Sequence, residues 1–136
     1  MNGKDQKNNF SYNLISWHKN NGRHNLPWQL KINPYKVWVS EIMLQQTQVK
    51  IVLPYYEKFI KKYPSIKELS NSPLDDILKL WAGLGYYRRA VNLHKSSQII
   101  KKQYKYNFPK IYDEIIKLPG IGKSTAGAIM SLAYKK

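Results

Sequence analysis

The chain has 136 residues, 43% of them apolar and 13% aromatic, which is enough material for one domain with a hydrophobic core. A mean hydropathy of −0.57 and the lack of a long apolar run exclude a membrane-spanning helix. The net charge of +15 favours a polyanionic partner, although a bias toward lysine codons could raise the charge without any binding role. Charge alone therefore does not decide between DNA and a membrane surface.

Cysteine is absent, so this chain can form neither a disulfide nor a thiolate-bound iron–sulfur cluster. The three histidines, His18, His24 and His94, lack the carboxylate or cysteine neighbours and the spacing of a metal site. We therefore expect ordinary surface histidines and no metal ligand among them.

The N-terminal part divides into two predicted segments. Residues 1–9 are polar and lack the apolar run of a secretion signal, so we expect a disordered leader. Residues 10–30 comprise a helix over 10–20 and an irregular connection that holds Arg23 and Trp28. A tryptophan beside Leu-Pro is typical of a packing anchor, but beside an arginine it can also form the wall of a base pocket. A helical domain is expected over 31–136.

The first candidate catalytic residue is Glu41. An Asn-Pro pair at 33–34 predicts a helix start, and Glu41 is the only charged residue between Lys36 and Lys50. Helical spacing puts this carboxyl group among large apolar side chains, and we expect desolvation to raise its pKa, as a general acid requires. An ion pair with Lys36 or Arg23 explains the residue equally well.

The middle of the chain is interpreted as scaffold. A helix is predicted over 49–63, broken or begun again at Pro54. Ser72 as N-cap and Pro73 at the first helical position then predict a helix that runs to Gly83, with an acidic first turn that complements the helix dipole.

Two stretches carry candidate contacts to DNA. The uncharged polar residues 45–48 can bond base edges or fill the gap left by an extruded nucleotide, but they can equally cap a helix end. Residues 83–90 combine glycines with Tyr86, Tyr87 and two arginines, which favours stacking on nucleic acid, although a C-capping loop with packed tyrosines has the same composition. A helix that follows is expected to reach Tyr104.

The most specific stretch comes near the end of the chain. Gly120 and Gly122 follow a proline and predict a tight hairpin between a helix over 111–118 and a second helix, which Ser124 or Thr125 can cap. Bare amides, the positive end of the second helix and the ammonium group of Lys123 together form a site for one phosphate. Small residues at 126–128 would permit a close approach of another helix. The alternative is a plain helical hairpin whose glycines serve only the turn.

Four motifs in this order closely resemble adenine DNA glycosylases of the MutY type, within the helix-hairpin-helix superfamily of base-excision glycosylases. They are LPW at 26–28, PYKVWVSEIMLQQTQV at 34–49, LGYY at 84–87 and LPGIGKSTAGAI at 118–129. The resemblance covers about residues 10 to 134. It implies an all-α six-helix barrel domain, with the helix-hairpin-helix motif at 111–134, and an enzyme that excises adenine mispaired with 8-oxoguanine or guanine.

The resemblance also implies roles for individual residues. Glu41 would protonate the flipped adenine, and the hairpin would hold the DNA backbone through Gly120, Gly122, Lys123 and Ser124. The residues that would enter the duplex near the orphaned base are Gln45, Gln46 and Tyr86, and those that would line or flank the base pocket are Arg23, Trp28 and Leu44.

The chain departs from the family pattern in three ways. The endonuclease III type carries a nucleophilic lysine where this chain has Ser124, so we expect no Schiff-base lyase chemistry. The aspartate that follows the second hairpin helix in the family, and would stabilise the cationic sugar, is not present before Lys136. The family's 4Fe-4S cluster lacks its cysteine ligands here, and we expect a chain truncated before the cluster domain, with no cofactor of its own.

Two functions stay open on these observations. The chain is a monofunctional adenine DNA glycosylase, or it is a non-catalytic DNA-binding remnant of one. In either case we expect a cytoplasmic, nucleoid-associated monomer that binds double-stranded DNA with adenine opposite 8-oxoguanine or guanine, and no membrane. Whether a second polypeptide supplies the remaining part of such an enzyme also stays open.

Overall fold

The computed structural model describes residues 33–135. The predicted leader, the predicted helix over 10–20, Arg23 and Trp28 lie outside the described residues. Within the described range every regular element is a helix, which confirms the all-α class; the six-helix barrel stays a prediction. The helices are α1 (Pro34–Leu44), α2 (Val49–Lys62), α3 (Ile66–Ser70), α4 (Leu74–Trp81), α5 (Tyr87–Tyr104), α6 (Tyr112–Ile115) and α7 (Lys123–Ala133). Of the helices in this part of the chain, none combines the length and apolar character needed to cross a membrane.

Helix α1 is the central element of the fold. Asn33 is its N-cap, as predicted, because its Oδ1 accepts a hydrogen bond of 2.8 Å from the backbone N–H of Lys36. The helix packs against α2, α5 and α7, and it is therefore buried on several sides rather than along one stripe. Trp38 is fully buried and contacts the ring of Phe108 at a centroid distance of 5.5 Å.

The long helix α5 is the second main support. It packs against α3 and α4, and its buried positions Ala90, Leu93 and Ile100 follow the predicted helical spacing up to Tyr104. Its end is closed by a left-handed residue, Lys105, as is common at helix C-termini. Helix α5 also contacts α1 directly.

Three predicted helix boundaries are wrong. Helix α2 continues through Pro54, because buried Val52, Tyr56 and Phe59 hold both sides of the proline in the core and only one backbone hydrogen bond is forfeited. Helix α4 begins at Leu74 without a side-chain cap and ends at Trp81, before Gly83. The helix predicted over 111–118 is only the short segment α6.

Ser72 has a different partner from the one predicted. Its hydroxyl donates to the carbonyl of Pro73 at 3.0 Å and lies 2.6 Å from the hydroxyl of Tyr63, so it joins the end of α2 to the turn before α4. The short helix α3 was not predicted, since five residues are too few to display a helical period.

Candidate functional site

Glu41 lies on the side of α1 that also carries Trp38 and Gln45, its third and fourth neighbours along the helix. Burial raises the pKa of its carboxyl group to about 7, as the sequence predicts. Among the described residues Glu41 has no ionic partner, so the alternative ion pair with Lys36 is not formed; Arg23 lies outside this range. A carboxyl group that is about half protonated at neutral pH can donate a proton to a bound molecule.

A cavity of about 720 Å³ opens beside the C-terminal half of α1. The end of α1, the start of α5 and the hairpin before α7 share its lining, and its size is in the range of small-ligand pockets. Glu41 itself is not among the lining residues, although Trp38 and Gln45 are. The lining residues are Trp38, Ile42, Gln45, Gln46, Tyr86, Arg88, Arg89, Asn92, Leu93, Pro119 and Gly120.

Gln46 and Tyr86 lie on the rim of this cavity in unusual backbone conformations. Both are left-handed, with φ of +62° for Gln46 and +54° for Tyr86, a region that residues other than glycine rarely adopt. Both side chains are exposed, and Tyr86 has 61% of its surface open to solvent. The structure thus brings together two of the residues predicted to enter the duplex, which are far apart in the sequence.

Gln45 differs from its neighbour Gln46. Its side chain is half-buried, and its Nε2 donates a hydrogen bond of 3.3 Å to the hydroxyl of Thr125 in α7. It therefore connects the end of α1 to the hairpin helix, while its surface still contributes to the cavity lining.

Arg89 supplies donors to the C-terminal end of α1. Its Nη1 lies 2.9 Å from the carbonyl oxygen of Ile42, 3.0 Å from that of Met43 and 2.5 Å from that of Gln45. The last carbonyls of a helix have no partner within the helix, and α1 has no basic residue in its last turn. The guanidinium group of α5 therefore caps α1 from outside.

The same guanidinium group also reaches the turn before α5. Its Nη2 donates to the carbonyl of Gly85 at 3.4 Å, and its Cζ lies 5.2 Å from the ring centroid of Tyr86 and 5.7 Å from that of Trp81. The sequence motif at 83–90 presents Arg89 only as a second arginine beside stacking tyrosines, and it does not predict these bonds to the end of α1. One signal in the sequence could have indicated this role. The helix that ends at Leu44 has no basic residue in its last turn, so its last carbonyl groups need a donor from another element.

The hairpin before α7 has the predicted left-handed glycine at Gly120, with φ of +82°. A Cβ atom there would lie 2.9 Å from Cβ of Asn92, so the hairpin also approaches α5 closely at this point. Ser96 holds the same hairpin from α5, because its hydroxyl donates to the carbonyl of Pro119 at 2.8 Å. The position of the hairpin relative to the cavity is thereby fixed.

The start of α7 corrects the predicted caps. Gly122 is the N-cap residue, and neither Ser124 nor Thr125 caps the helix: Ser124 is exposed and Thr125 is buried and bonded to Gln45. Gly122 has φ of −94°, an ordinary value, and a Cβ atom there would meet nothing within 4 Å. The backbone at Gly122 is therefore open to a ligand, rather than constrained by the turn.

The sequence of residues 39–132 matches the family model described as HhH-GPD superfamily base excision DNA repair protein. The chain belongs to the HhH-GPD superfamily.

Relatives in this superfamily carry the name that the sequence motifs predict. The chain is 61% identical over 125 residues to an adenine DNA glycosylase of Buchnera aphidicola subsp. Baizongia pistaciae, a match that covers 92% of this chain and 36% of the relative. It is 38% identical over 134 residues to an adenine DNA glycosylase of Homo sapiens, covering 92% of this chain and 24% of the relative. The chain thus spans about a third or less of the length of these curated relatives.

Solved structures have the same fold. A thermostable thymine-DNA glycosylase superposes with a TM-score of 0.74 at 29% identity, over 99% of this chain and 63% of that chain. A trapped endonuclease III–DNA covalent intermediate superposes with a TM-score of 0.71 at 22% identity, over 94% of this chain and 60% of that chain. The second likeness concerns the fold alone.

Not every predicted site residue reaches the cavity of this HhH-GPD domain. Leu44 is half-buried and packs against the hydrophobic core. Gly122, Lys123 and Ser124 are exposed at the start of α7, outside the cavity lining. Gln45, Gln46, Tyr86 and Gly120 do line it, so the predicted residues form a cavity group and a hairpin group.

No residue set in this chain fits the iron–sulfur cluster that the resemblance implies. Thiolates bind such clusters, and none of the 136 residues is cysteine. Within residues 33–135, no group of three or more histidine, cysteine or acidic side chains could hold a metal ion. His94 lies 3.0 Å from the carbonyl oxygen of Ser72 through its Nε2, which is a structural contact. The expectation that this chain holds no cofactor stays a prediction.

Proposed function

We propose that this chain is the helical part of an adenine DNA glycosylase, which removes adenine from duplex DNA by hydrolysis of its N-glycosidic bond. The observation that carries the proposal is the burial of Glu41, whose pKa of about 7 suits a general acid at neutral pH. Relatives at 61% and 38% identity that bear this name support the substrate. We assign adenine opposite 8-oxoguanine or guanine as the target.

The reaction follows from the protonation state of Glu41. The carboxylic acid transfers its proton to a ring nitrogen of adenine, and the bond between the base and C1′ of the sugar breaks, with its electron pair going to the base. Water then adds to C1′ and loses a proton, which completes the hydrolysis. Because adenine inside a duplex is out of reach, the base must first leave the stack.

The cavity rim and the hairpin supply the required distortion of DNA. Gln46 and Tyr86 project exposed side chains from fixed backbone positions and can fill the space that the extruded base leaves. The open backbone at Gly122 and the exposed Lys123 begin the 11-residue helix α7, whose positive end favours a phosphate. Thus one group enters the duplex while the other holds its backbone.

The decisive experiment is an excision assay with the full chain on a duplex that has adenine opposite 8-oxoguanine. We expect wild type to release adenine and Glu41→Gln to release none, since the amide cannot donate a carboxyl proton. Glu57→Gln is the matched control, because Glu57 is exposed on α2 and outside the cavity lining. No release by wild type, or equal release by Glu41→Gln, would contradict the proposed activity.

A second candidate function is duplex binding without excision. It is favoured by the net charge of +15 and by the exposed Lys123 at the start of α7, which attract a DNA backbone whether or not a base is removed. This function predicts salt-dependent binding to DNA by wild type together with no adenine release. In either case we propose a monomer bound to chromosomal DNA at the nucleoid.

A further inference from the structure

We propose that Arg89 is a positioning residue that holds Gln46 and Tyr86 in the conformation in which they enter the duplex. The inference rests on the proposed function, because it concerns how the rim of the same cavity distorts DNA. It assigns to one half-buried arginine the placement of two side chains, one that follows α1 and one that directly precedes α5.

Arg89 binds the carbonyl groups that directly precede the two rim residues. Gln45 directly precedes Gln46, and Gly85 directly precedes Tyr86; the carbonyl oxygens of both preceding residues lie within hydrogen-bond distance of the guanidinium group, at 2.5 Å and 3.4 Å. Arg89 therefore binds the peptide planes that enter both rim residues, and Trp81 Nε1 also donates to the Gly85 carbonyl, at 3.0 Å.

The two rim residues have a backbone conformation that needs support from their surroundings. Gln46 and Tyr86 both have positive φ, which is unfavourable for residues with a Cβ atom and persists only where the surroundings impose it. Neither obtains that support from burial, because both side chains are exposed. Arg89 contributes one of the hydrogen bonds before each residue, beside Thr47 Oγ1 at the Gln45 carbonyl and Trp81 Nε1 at the Gly85 carbonyl. For Tyr86 it adds a cation–π contact at 5.2 Å.

The guanidinium group of Arg89 binds two elements with two different nitrogen atoms. Its Nη1 faces the end of α1 and its Nη2 faces the Gly85 turn, so one rigid, planar group spans both elements. Lysine at this position would keep the positive charge, but its single nitrogen cannot reproduce the two-sided arrangement. The variant Arg89→Lys therefore separates positioning from electrostatic attraction to DNA.

The test measures distortion of the duplex rather than its chemistry. The full chain is titrated into a duplex with adenine opposite 8-oxoguanine and a 2-aminopurine beside the adenine, whose fluorescence rises when stacking is lost; fluorescence anisotropy measures affinity separately. At saturation we expect Arg89→Lys to give less than about half of the wild-type rise, because without the two-sided guanidinium contacts the left-handed conformations of Gln46 and Tyr86 lose part of the support that imposes them. The matched control is Lys102→Gln, an exposed position on α5 about 20 Å farther along the helix axis.

A double-mutant comparison distinguishes positioning from a general structural role. In the Gln46→Ala/Tyr86→Ala background we expect Arg89→Lys to cause no further loss of fluorescence. A further loss of fluorescence in that double-alanine background would overturn the inference. An Arg89→Lys single variant whose fluorescence rise equals that of wild type would overturn it as well. If Arg89→Lys does not give the wild-type circular dichroism spectrum, Arg89→Gln replaces it, and failure of both variants to fold would overturn the positioning assignment. Absence of duplex binding by wild type would instead refute the proposed function.

Discussion

The amide of Gln45 donates a hydrogen bond to the hydroxyl of Thr125, Nε2 to Oγ1, at 3.3 Å, and so joins residues 80 positions apart in the sequence. Gln45 follows the last residue of α1, and Thr125 lies in the first turn of α7. The contact therefore links the cavity rim to the hairpin that is proposed to hold the DNA backbone. Thr125 is buried at 4% exposure, so its hydroxyl has little access to water as an alternative partner.

Thr125→Val tests this link, because valine keeps the shape of threonine and removes the hydroxyl group. We expect the free energy of unfolding to fall by about 1 kcal/mol, the net contribution of one hydrogen bond. Urea denaturation measures the change. Ser124→Ala is the control, since Ser124 is exposed and its truncation should change stability by less than about 0.5 kcal/mol. Equal stability of Thr125→Val and wild type would contradict the contact.

Glu41→Gln should stabilise the fold at neutral and alkaline pH. Burial raises the pKa of Glu41 from 4.5 to about 7, so the folded state retains a proton that the unfolded chain releases. Below pH 4.5 both states are protonated and the burial penalty is absent. Stability then falls as the pH rises to about 7, by up to about 3 kcal/mol, and is constant above that.

The measurement is the difference in unfolding free energy between Glu41→Gln and wild type at pH 4, 6 and 8. The difference should grow across that series, because glutamine carries no charge at any pH. Glu57→Gln is the matched control, since Glu57 is exposed on α2. A difference that is independent of pH would mean that Glu41 is ionised in the folded protein at neutral pH.

The sequence predicted those features that depend on local chemistry. The Asn33 cap, the end of α5 at Tyr104 and the left-handed Gly120 all follow from residues next to one another in the chain. The raised pKa of Glu41 followed from helical spacing alone. In each case the cause lies within a few residues of the effect.

The features that the sequence missed depend on contacts between distant segments. Arg89 binds carbonyl groups 44 to 47 residues away, and no local pattern distinguishes it from its exposed neighbour Arg88. Thr125 was expected to cap its own helix, but burial against α1 directs its hydroxyl to Gln45 instead. Pro54 did not break α2, because tertiary packing outweighed the local preference.

Substitution of the two hairpin glycines should separate folding from DNA binding. Gly120→Ala should lower the free energy of unfolding by about 2 kcal/mol or more, because alanine is strained at φ of +82° and its Cβ would meet Asn92. Gly122→Ala should change stability by less than about 1 kcal/mol, since φ is ordinary and the space is open. It should nevertheless weaken duplex binding, because the added methyl group would lie where a phosphate is proposed to approach. Full affinity of a folded Gly122→Ala variant would rule out that approach.

Lys123→Ala should weaken duplex binding in a salt-dependent manner. Lys123 is exposed at the first position of α7, where its ammonium group and the helix dipole are proposed to act on the same phosphate. Loss of one phosphate contact should reduce the slope of log K against log salt by about 0.9. Fluorescence anisotropy of a labelled duplex at several salt concentrations measures that slope. Lys102→Ala removes the same charge at a distant, exposed position on α5 and should leave the slope close to the wild-type value. If the two variants reduce the slope equally, the basic surface attracts DNA without a specific phosphate site at the hairpin.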